Sequence, residues 1–308
     1  MAEAARLAVI TGPTGVGKSE LALRAALELD GEIINADSLA LYRGFDLGTA
    51  KPSPADRARV AHHLIDVLEP DESFDAAAYL RAARPLVDRL GRAGRPALAV
   101  GGAGFYLRSL TAGLFDGPGR DAQFRAALTA EAAAGVDLHA RLAALDPETA
   151  ARLAPADRVR IERALEVHHL TGRAISHWQR EHGLGEKPFQ TLTLVLDRPA
   201  AELDERLRRR TRAMFEQGLI AEVAGLLAAG WPPDLKPLGA IGYREAGQYL
   251  GGLLSYEEAV EKTFVATRRY AKRQRTWCRS QMIGALWFHP AETGPILASL
   301  KHFFNKTE

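Results

Sequence analysis

The chain has 308 residues, is 47% hydrophobic and 25% charged, and carries a formal net charge of only +2. That length supports one large or two modest domains with a sizeable core, and no apolar run approaches the ~18 residues that a membrane-spanning helix needs. A single cysteine, Cys278, excludes an intrachain disulfide and a cysteine-based zinc site, and the near-neutral balance gives no sign that the chain as a whole seeks a polyanion.

The N-terminus has neither a basic region nor a long apolar stretch, so no secretory leader is expected, and a reducing cytoplasm suits the lone thiol. Arginine outnumbers lysine, 32 against 8, and the placement of these residues is more informative than their total. Residues 6–11 read as a first buried strand. GPTGVGKS at 12–19 follows it and fits G-x-x-x-x-G-K-[ST] without a mismatch. A helix over 18–30 comes next, stopped by Gly31. In this strand–loop–helix context the loop of Gly12, Pro13, Thr14, Gly15, Val16, Gly17, Lys18 and Ser19 reads as a phosphate cradle. Its glycines let backbone amides turn inward, and the helix N-terminus adds positive potential. Lys18 neutralises phosphate oxygens, and the Ser19 hydroxyl is the candidate ligand for Mg²⁺. The motif alone does not say what is done with the phosphate.

Residues 32–35 read as a second buried strand that ends near Asp37. In a sheet of strand–helix units, ligands gather at the carboxyl ends of strands, which brings Asp37 close to the phosphate loop. Capping the next segment is an equal alternative for it. The Gly-rich stretch 39–52 reads as a loop over the site, with Thr49 and Lys51 as candidate contacts. His62 and His63 are adjacent and cannot both face one metal on a regular element, so they read as structural or hydrogen-bonding supports. A helix over 74–90 leads to a third buried strand, 96–100, which runs into Gly101-Gly102-Ala103-Gly104. ATP- and GTP-hydrolysing P-loop proteins place an acid at such a strand end to hold Mg²⁺. Its absence argues against ordinary nucleotide hydrolysis, and the glycines suit close backbone approach to a ligand or a helix.

From 116 to 186 alanine, leucine and arginine dominate, which predicts a helical insertion domain between core segments 1–115 and 187–308. One helix is well marked, with Asp157 as N-cap, 158–170 as its body and Gly172 as its stop. Ile161, Leu165 and His168 share a core face, while Arg160 and Arg163 share another that can meet a partner. Residues 189–196 return to the sheet as a strand. The helix over 203–215 then carries Arg206 and Arg210 on one face, either solvated or as a clamp over the phosphate. Ser255 and Glu258 form a capping box for a long C-terminal helix. On it Arg268, Lys272, Arg275 and Arg279 recur at i, i+4, i+7 and i+11, with Tyr270 and Trp277 interleaved. Such a stripe is a nucleic-acid surface, or a basic face at solvent or a membrane.

Together these segments resemble the tRNA dimethylallyltransferase family, also called tRNA isopentenyl-transferases. The resemblance is carried by GPTGVGKS (12–19), NADSLALYRGFDLGTAKP (35–52), HHLID (62–66), AVGGAGFYLRSL (99–110), RVRIERALEV (158–167), GAIGYRE (239–245) and TRRYAKRQRTWCR (267–279). It spans nearly the whole chain in family order and is loose only over about 118–156. It implies an α/β fold, a P-loop core with a parallel sheet flanked by helices, plus the helical insertion domain. The implied reaction moves a dimethylallyl group from dimethylallyl diphosphate to the N6 amine of the adenosine 3′ of the anticodon. Diphosphate would then be the ligand of the P-loop, with Mg²⁺ near Ser19.

By the same resemblance Asp37 is the base that removes the amine proton, and Lys18, Arg206 and Arg210 stabilise the departing diphosphate. The tRNA anticodon stem-loop would be gripped by Asp37, Ser38, Leu39 and Ala40, by Ala103, and by Val159, Arg160, Ile161, Glu162 and Arg163. Gly239, Gly242, Tyr243 and Arg244 would join them, as would Lys272, Arg273, Gln274, Arg275, Trp277 and Arg279. The chain departs from the family at Ala103, where GGAGFY replaces a usual threonine, so either another group supplies that hydroxyl or turnover is reduced. The zinc-finger extension of eukaryotic members is not seen, which suits a bacterial-type enzyme, and a cytoplasmic monomer without membrane contact is expected. A small-molecule P-loop kinase is the alternative, and a non-catalytic RNA-binding protein with a relict phosphate loop is a second. The kinase leaves the basic stripe unexplained.

Overall fold

The computed structural model describes residues 4–114, 117–182 and 188–305. Two compact units emerge: Met1–Ala112 together with Pro188–Glu308, and Gly113–Lys187. The expected boundaries at 115/116 and 186/187 lie at or beside residues outside the described ones.

The first unit is built on six strands: β1 (Arg6–Thr11), β2 (Glu32–Asn35), β3 (His62–His63), β4 (Ala97–Val100), β5 (Gln190–Leu196) and β6 (Leu286–Phe288). They form one sheet in the order β3-β2-β4-β1-β5-β6, with every pairing parallel. A parallel sheet is covered on both faces, so its central strands read as continuous apolar runs. The period of two then divides those runs between two cores. Leu7, Val9, Ile34, Ala97 and Ala99 point to one side, and Ala8, Ile10, Ile33, Leu98 and Val100 to the other.

The sequential helices of this unit before the insertion are α1 (Lys18–Leu29), α2 (Pro54–Arg59), α3 (Ala76–Arg92) and α4 (Gly104–Ala112). α1 ends one residue earlier than the Gly31 signal suggests. Asp30 takes the left-handed conformation (φ 51°), and its amide returns to the Ala26 carbonyl. α3 starts at Ala76 because the Asp75 carboxylate accepts from the Ala77 and Ala78 amides.

The second unit holds α5 (Ala122–Ala133), α6 (Leu138–Leu145), α7 (Pro147–Arg152), α8 (Arg158–Thr171) and α9 (Ile175–His182). Aspartates 121, 137, 146 and 157 cap the first four of these. A small core of Leu128, Leu142, Ile161, Ala164 and Leu165 holds them together. α8 has the expected cap at Asp157 and the left-handed stop at Gly172 (φ 68°).

The chain returns through β5 to α10 (Ala200–Glu216), α11 (Leu219–Ala228), a 3₁₀ turn at Lys236–Gly239 and α12 (Tyr243–Leu250). The 26-residue α13 (Tyr256–Gln281) opens with the Ser255/Glu258 capping box. Residues after it form β6 and α14 (Thr293–Asn305), whose Ile296, Leu297 and Leu300 pack in the same core as α1. Among the described residues no helix is long and apolar enough to cross a membrane.

Candidate active site

The P-loop sits where β1 ends. Gly12 is required there: it has φ 139°, and a Cβ on it would fall 2.2 Å from the Leu196 carbonyl oxygen of β5. Thr11 Oγ1 donates to the Gly101 carbonyl at 2.9 Å, tying the ends of β1 and β4 together. Lys18 Nζ donates back to the Gly12 and Pro13 carbonyls at 3.0 and 2.9 Å, so it lies along the loop. Burial of this ammonium lowers its pKa to about 8, with the Asp37 charge opposing the shift and Arg210 adding to it.

Both candidate arginines of α10 reach the loop. Arg206 Nε donates to the Gly15 carbonyl at 3.2 Å, and Arg210 Nη1 lies 3.4 Å from Thr14 Oγ1. Burial pushes the Arg210 pKa down and the Asp37 charge pushes it back up, so a cation is held in a secluded place beside a carboxylate. The pair therefore faces the loop rather than forming a wholly solvated face. A third arginine, Arg198, also meets the loop: its Nε donates to the Val16 carbonyl at 2.9 Å. It sits in the Asp-Arg-Pro break after β5, which periodicity marks only as a strand end.

Asp37 combines both of its candidate roles. Its Oδ1 accepts from the Leu39 amide at 2.9 Å, and its own amide donates to Asn35 Oδ1 at 3.0 Å. Asn35 Nδ2 fixes the turn further, donating to the Asp37 and Leu64 carbonyls. Among the described residues Asp37 Oδ2 carries no hydrogen bond.

Two cavities meet at this point. One, of about 580 Å³, is lined by the loop with Lys18, Ser19, Asn35, Arg206 and Arg209. The other, of about 460 Å³, runs between α10 and α13 and is walled by Leu39, Tyr42, Phe74, Tyr106, Leu207, Met214, Ile241 and Tyr270. Thr14, Asp37, Thr49 and Arg210 line both. The apolar cavity is not readable from the sequence, because its walls come from six separate segments that only the fold brings together.

The remaining candidates divide sharply. Ser38, Val159, Arg160, Gly239, Arg244, Lys272, Arg273 and Arg279 are exposed, and Leu39, Glu162 and Trp277 are half-buried. Ala103, partly buried, packs against the core and donates its amide to the Ala36 carbonyl at 3.0 Å. Ala40, Ile161, Gly242 and Tyr243 are buried, and of these Ala40 lines the charged cavity. Ile161 belongs to the small helical core, and the Tyr243 hydroxyl donates to Glu222 at 2.6 Å.

Arg163 is not open either. It donates to Glu166 at 2.6 Å and to the Pro118 and Gly119 carbonyls. Arg275 donates to Asp197, and Gln274 is buried against the P-loop. Lys51 pairs with Asp46 and Asp66 and, with Thr49, lines the charged cavity. His62 and His63 are supports, as expected: His63 Nε2 lies 2.6 Å from Glu32 Oε2, and His62 Nδ1 donates to the Val60 carbonyl at 2.8 Å. His168 is half-buried at the edge of the helical core.

Comparison with known proteins gives a consistent picture. The IPP transferase family pattern matches residues 40–281. A tRNA dimethylallyltransferase of Geobacter sulfurreducens is 46% identical over 301 residues, covering 97% of each chain. A solved tRNA isopentenylpyrophosphate transferase of Bacillus halodurans is 34% identical, with a TM-score of 0.71 over 97% of this chain and 96% of that one. A solved eukaryotic dimethylallyltransferase acting on tRNA is 26% identical, with a TM-score of 0.81 over 98% of this chain and 80% of that one.

Proposed function

The chain belongs to the IPP transferase family, and we propose on that premise how its paired cavities carry out tRNA dimethylallyl transfer. The observation that carries the reading is the junction, where Thr14, Asp37, Thr49 and Arg210 line the cavity over the loop of Lys18 and the apolar one at once. The diphosphate of dimethylallyl diphosphate lies over the P-loop, held by the amides of residues 15–19 and by Lys18, Arg206 and Arg210. The allylic carbon then stands at the junction. The adenosine 3′ of the anticodon is turned out of its loop to bring its N6 there, as chemistry on a base requires.

An exocyclic adenine amine is a weak nucleophile, because its lone pair is delocalised into the ring. As the N6–carbon bond forms, the carbon–oxygen bond to diphosphate breaks and the amine proton passes to Asp37. The Leu39 amide holds that carboxylate, and Asn35 holds the Asp37 backbone. Charge growing on the leaving diphosphate is met by cations already in position, which is the efficient way to lower such a barrier.

Mg²⁺ fits this site as an ion carried by the diphosphate. Among the described residues no group of three or more His, Cys, Asp or Glu side chains could hold a metal, and the charged cavity offers isolated oxygen donors such as Ser19. Mg²⁺ keeps several waters and commonly binds through one or two protein groups plus substrate phosphates. Held by the Ser19 hydroxyl, it would neutralise leaving-group charge.

In the first unit, exposed Lys272, Arg273 and Arg279 on α13 supply a surface for the anticodon stem-loop; in the second unit, Val159 and Arg160 of α8 are exposed as well. A cytoplasmic monomer belongs to the same reading. The kinase alternative is not favoured, since the family and the relatives concern prenyl transfer to tRNA. The deciding experiment is incorporation of label from dimethylallyl diphosphate into unmodified tRNA with Mg²⁺, beside an ATP-only control. Label on the adenosine next to the anticodon is expected. No label, with ATP phosphate transferred instead, would overturn the reading.

A further inference from the structure

The glycines at the end of β4 stand where a P-loop hydrolase would carry a metal-binding acid, and the structure explains what fills that space. Gln274, from the middle of α13, is 8% exposed and sits between the P-loop and the segment after β4. Its Oε1 accepts from the Thr14 amide at 2.8 Å, and its Nε2 donates to the Gly102 carbonyl at 3.1 Å. Tyr270, one turn earlier on α13, lines the apolar cavity. A Cβ on Gly102 would fall 2.1 Å from Gln274 Nε2, and one on Gly104 would fall 2.6 Å from the Trp277 ring. The glycines therefore let α13 approach closely enough to insert one carboxamide into the site.

This one side chain stands where three parts with different duties come together. Thr14 belongs to the loop over which the proposed function lays the diphosphate. Tyr270 belongs to the apolar cavity. Gln274 itself lies between Arg273 and Arg279 on the helix whose exposed cations face RNA in that reading. We propose that Gln274 is a positioning residue that couples the two substrates: RNA seated on α13 fixes the carboxamide, the carboxamide fixes the Thr14 end of the P-loop, and each substrate thereby tightens the other. Such coupling is reciprocal for binding free energies, so it can be read from either side.

The inference rests on the transferase reading, and the test separates the two. Binding of a fluorescent anticodon stem-loop RNA is measured with and without a saturating thiolodiphosphate analogue of dimethylallyl diphosphate, and label incorporation is run in parallel on the unaltered protein. For that protein the analogue is expected to tighten RNA binding by about fivefold or more. Gln274→Met keeps the side-chain length and removes both hydrogen bonds. It should bind each substrate alone almost as the unaltered protein does, yet show a coupling factor close to one. Gly102→Ala, which displaces the carboxamide without removing it, should do the same, and it serves if Gln274→Met fails a thermal-melt check of folding. Equal coupling in the unaltered protein and in a folded variant overturns the proposal, and so does absence of coupling in the unaltered protein while it transfers label. Failure of the unaltered protein to transfer label or bind RNA would instead overturn the transferase reading and the proposal with it.

Discussion

Arg275 and Asp197 form a part-buried ion pair that fastens the middle of α13 to the end of β5. Arg275 Nε and Nη2 lie 2.8 and 2.7 Å from Asp197 Oδ1, and Nη2 also donates to the Arg198 carbonyl at 2.6 Å. Arg198 in turn holds the Val16 carbonyl of the P-loop. The four-residue basic stripe is therefore not uniform. Arg268 pairs with Asp204 and Arg275 with Asp197, while Lys272 and Arg279 remain exposed, the latter at 67% with its nearest carboxylate oxygen 3.8 Å away.

The difference predicts two phenotypes on one helix. Arg275→Ala removes charge-assisted bonds and leaves Asp197 without its main partner, so urea unfolding should show a loss of about 1.5–3 kcal/mol. Lys272→Ala and Arg279→Ala should change stability by no more than about 0.5 kcal/mol. These two should instead weaken RNA binding and reduce the log–log salt slope by about 0.7–0.9 for each phosphate no longer neutralised. Full stability in Arg275→Ala, or an unchanged salt slope in both exposed variants, would contradict the division.

Asp37→Asn isolates the proton-accepting role from the structural one. The asparagine Oδ1 can still accept from the Leu39 amide, so the turn and the melting temperature should be kept. An amide cannot take up the amine proton, and turnover should fall by about 10²–10⁴-fold while RNA and donor-analogue binding persist. A variant that turns over at the original rate would remove Asp37 from the chemistry.

The residues behind these two predictions differ in how legible they are in the sequence. The P-loop, the sheet around β1 and the capping box of α13 are legible because each is a local signal: a glycine spacing, a buried apolar run, a Ser-x-x-Glu pair. Asp37 is legible to the level of a strand end. The apolar cavity is not, since Tyr42, Phe74, Tyr106, Met214 and Tyr270 belong to distant segments. The periodicity of α13 marks where Arg275 and Gln274 lie on the helix, but not that Asp197 and Gly102 face them. Short elements escape for a related reason. β3 has two residues and β6 has three, too few to display a period, and each is defined by the strand it pairs with.

If the diphosphate lies over Lys18 as proposed, the lysine ammonium gives donor binding a pH dependence. Its pKa is lowered from 10.5 to about 8 by burial in the protein without a ligand. A diphosphate beside it would favour the charged form, so donor binding above pH 8 must be accompanied by proton uptake. The expected result is a donor KM that rises as pH passes about 8, with that break absent in Lys18→Met. For stability the sign is opposite to that of a paired lysine. Between about 8 and 10.5 the unfolded chain binds the proton that the folded one has lost. This group's contribution therefore improves as pH rises through that window, and its full penalty stands below it. A KM that is flat from pH 7 to pH 9 would show that Lys18 stays charged throughout.

Glu166 sets a second pH dependence, confined to the helical unit. Its side chain is fully buried, yet two arginines and an amide surround it. Arg125 donates twice at 2.7 Å, Arg163 donates at 2.6 Å and the Asp121 amide at 2.9 Å. Burial alone would raise the carboxyl pKa, but these donors outweigh it and hold the value down to about 2, against 4.5 for a free side chain. Because the folded value lies below the unfolded one, the stabilisation is complete above pH 4.5 and is lost as pH falls through the range toward 2. Hydrogen exchange on the intact chain should then show protection in α5 and α8 falling steeply between those limits. Glu166→Gln leaves Arg125 and Arg163 without their anion, so it should lower protection of the same helices at neutral pH and flatten the acid dependence. Protection in α5 and α8 that is insensitive both to acid and to Glu166→Gln would show that the carboxylate holds neither helix and that Arg163 acts through the Pro118 and Gly119 carbonyls alone.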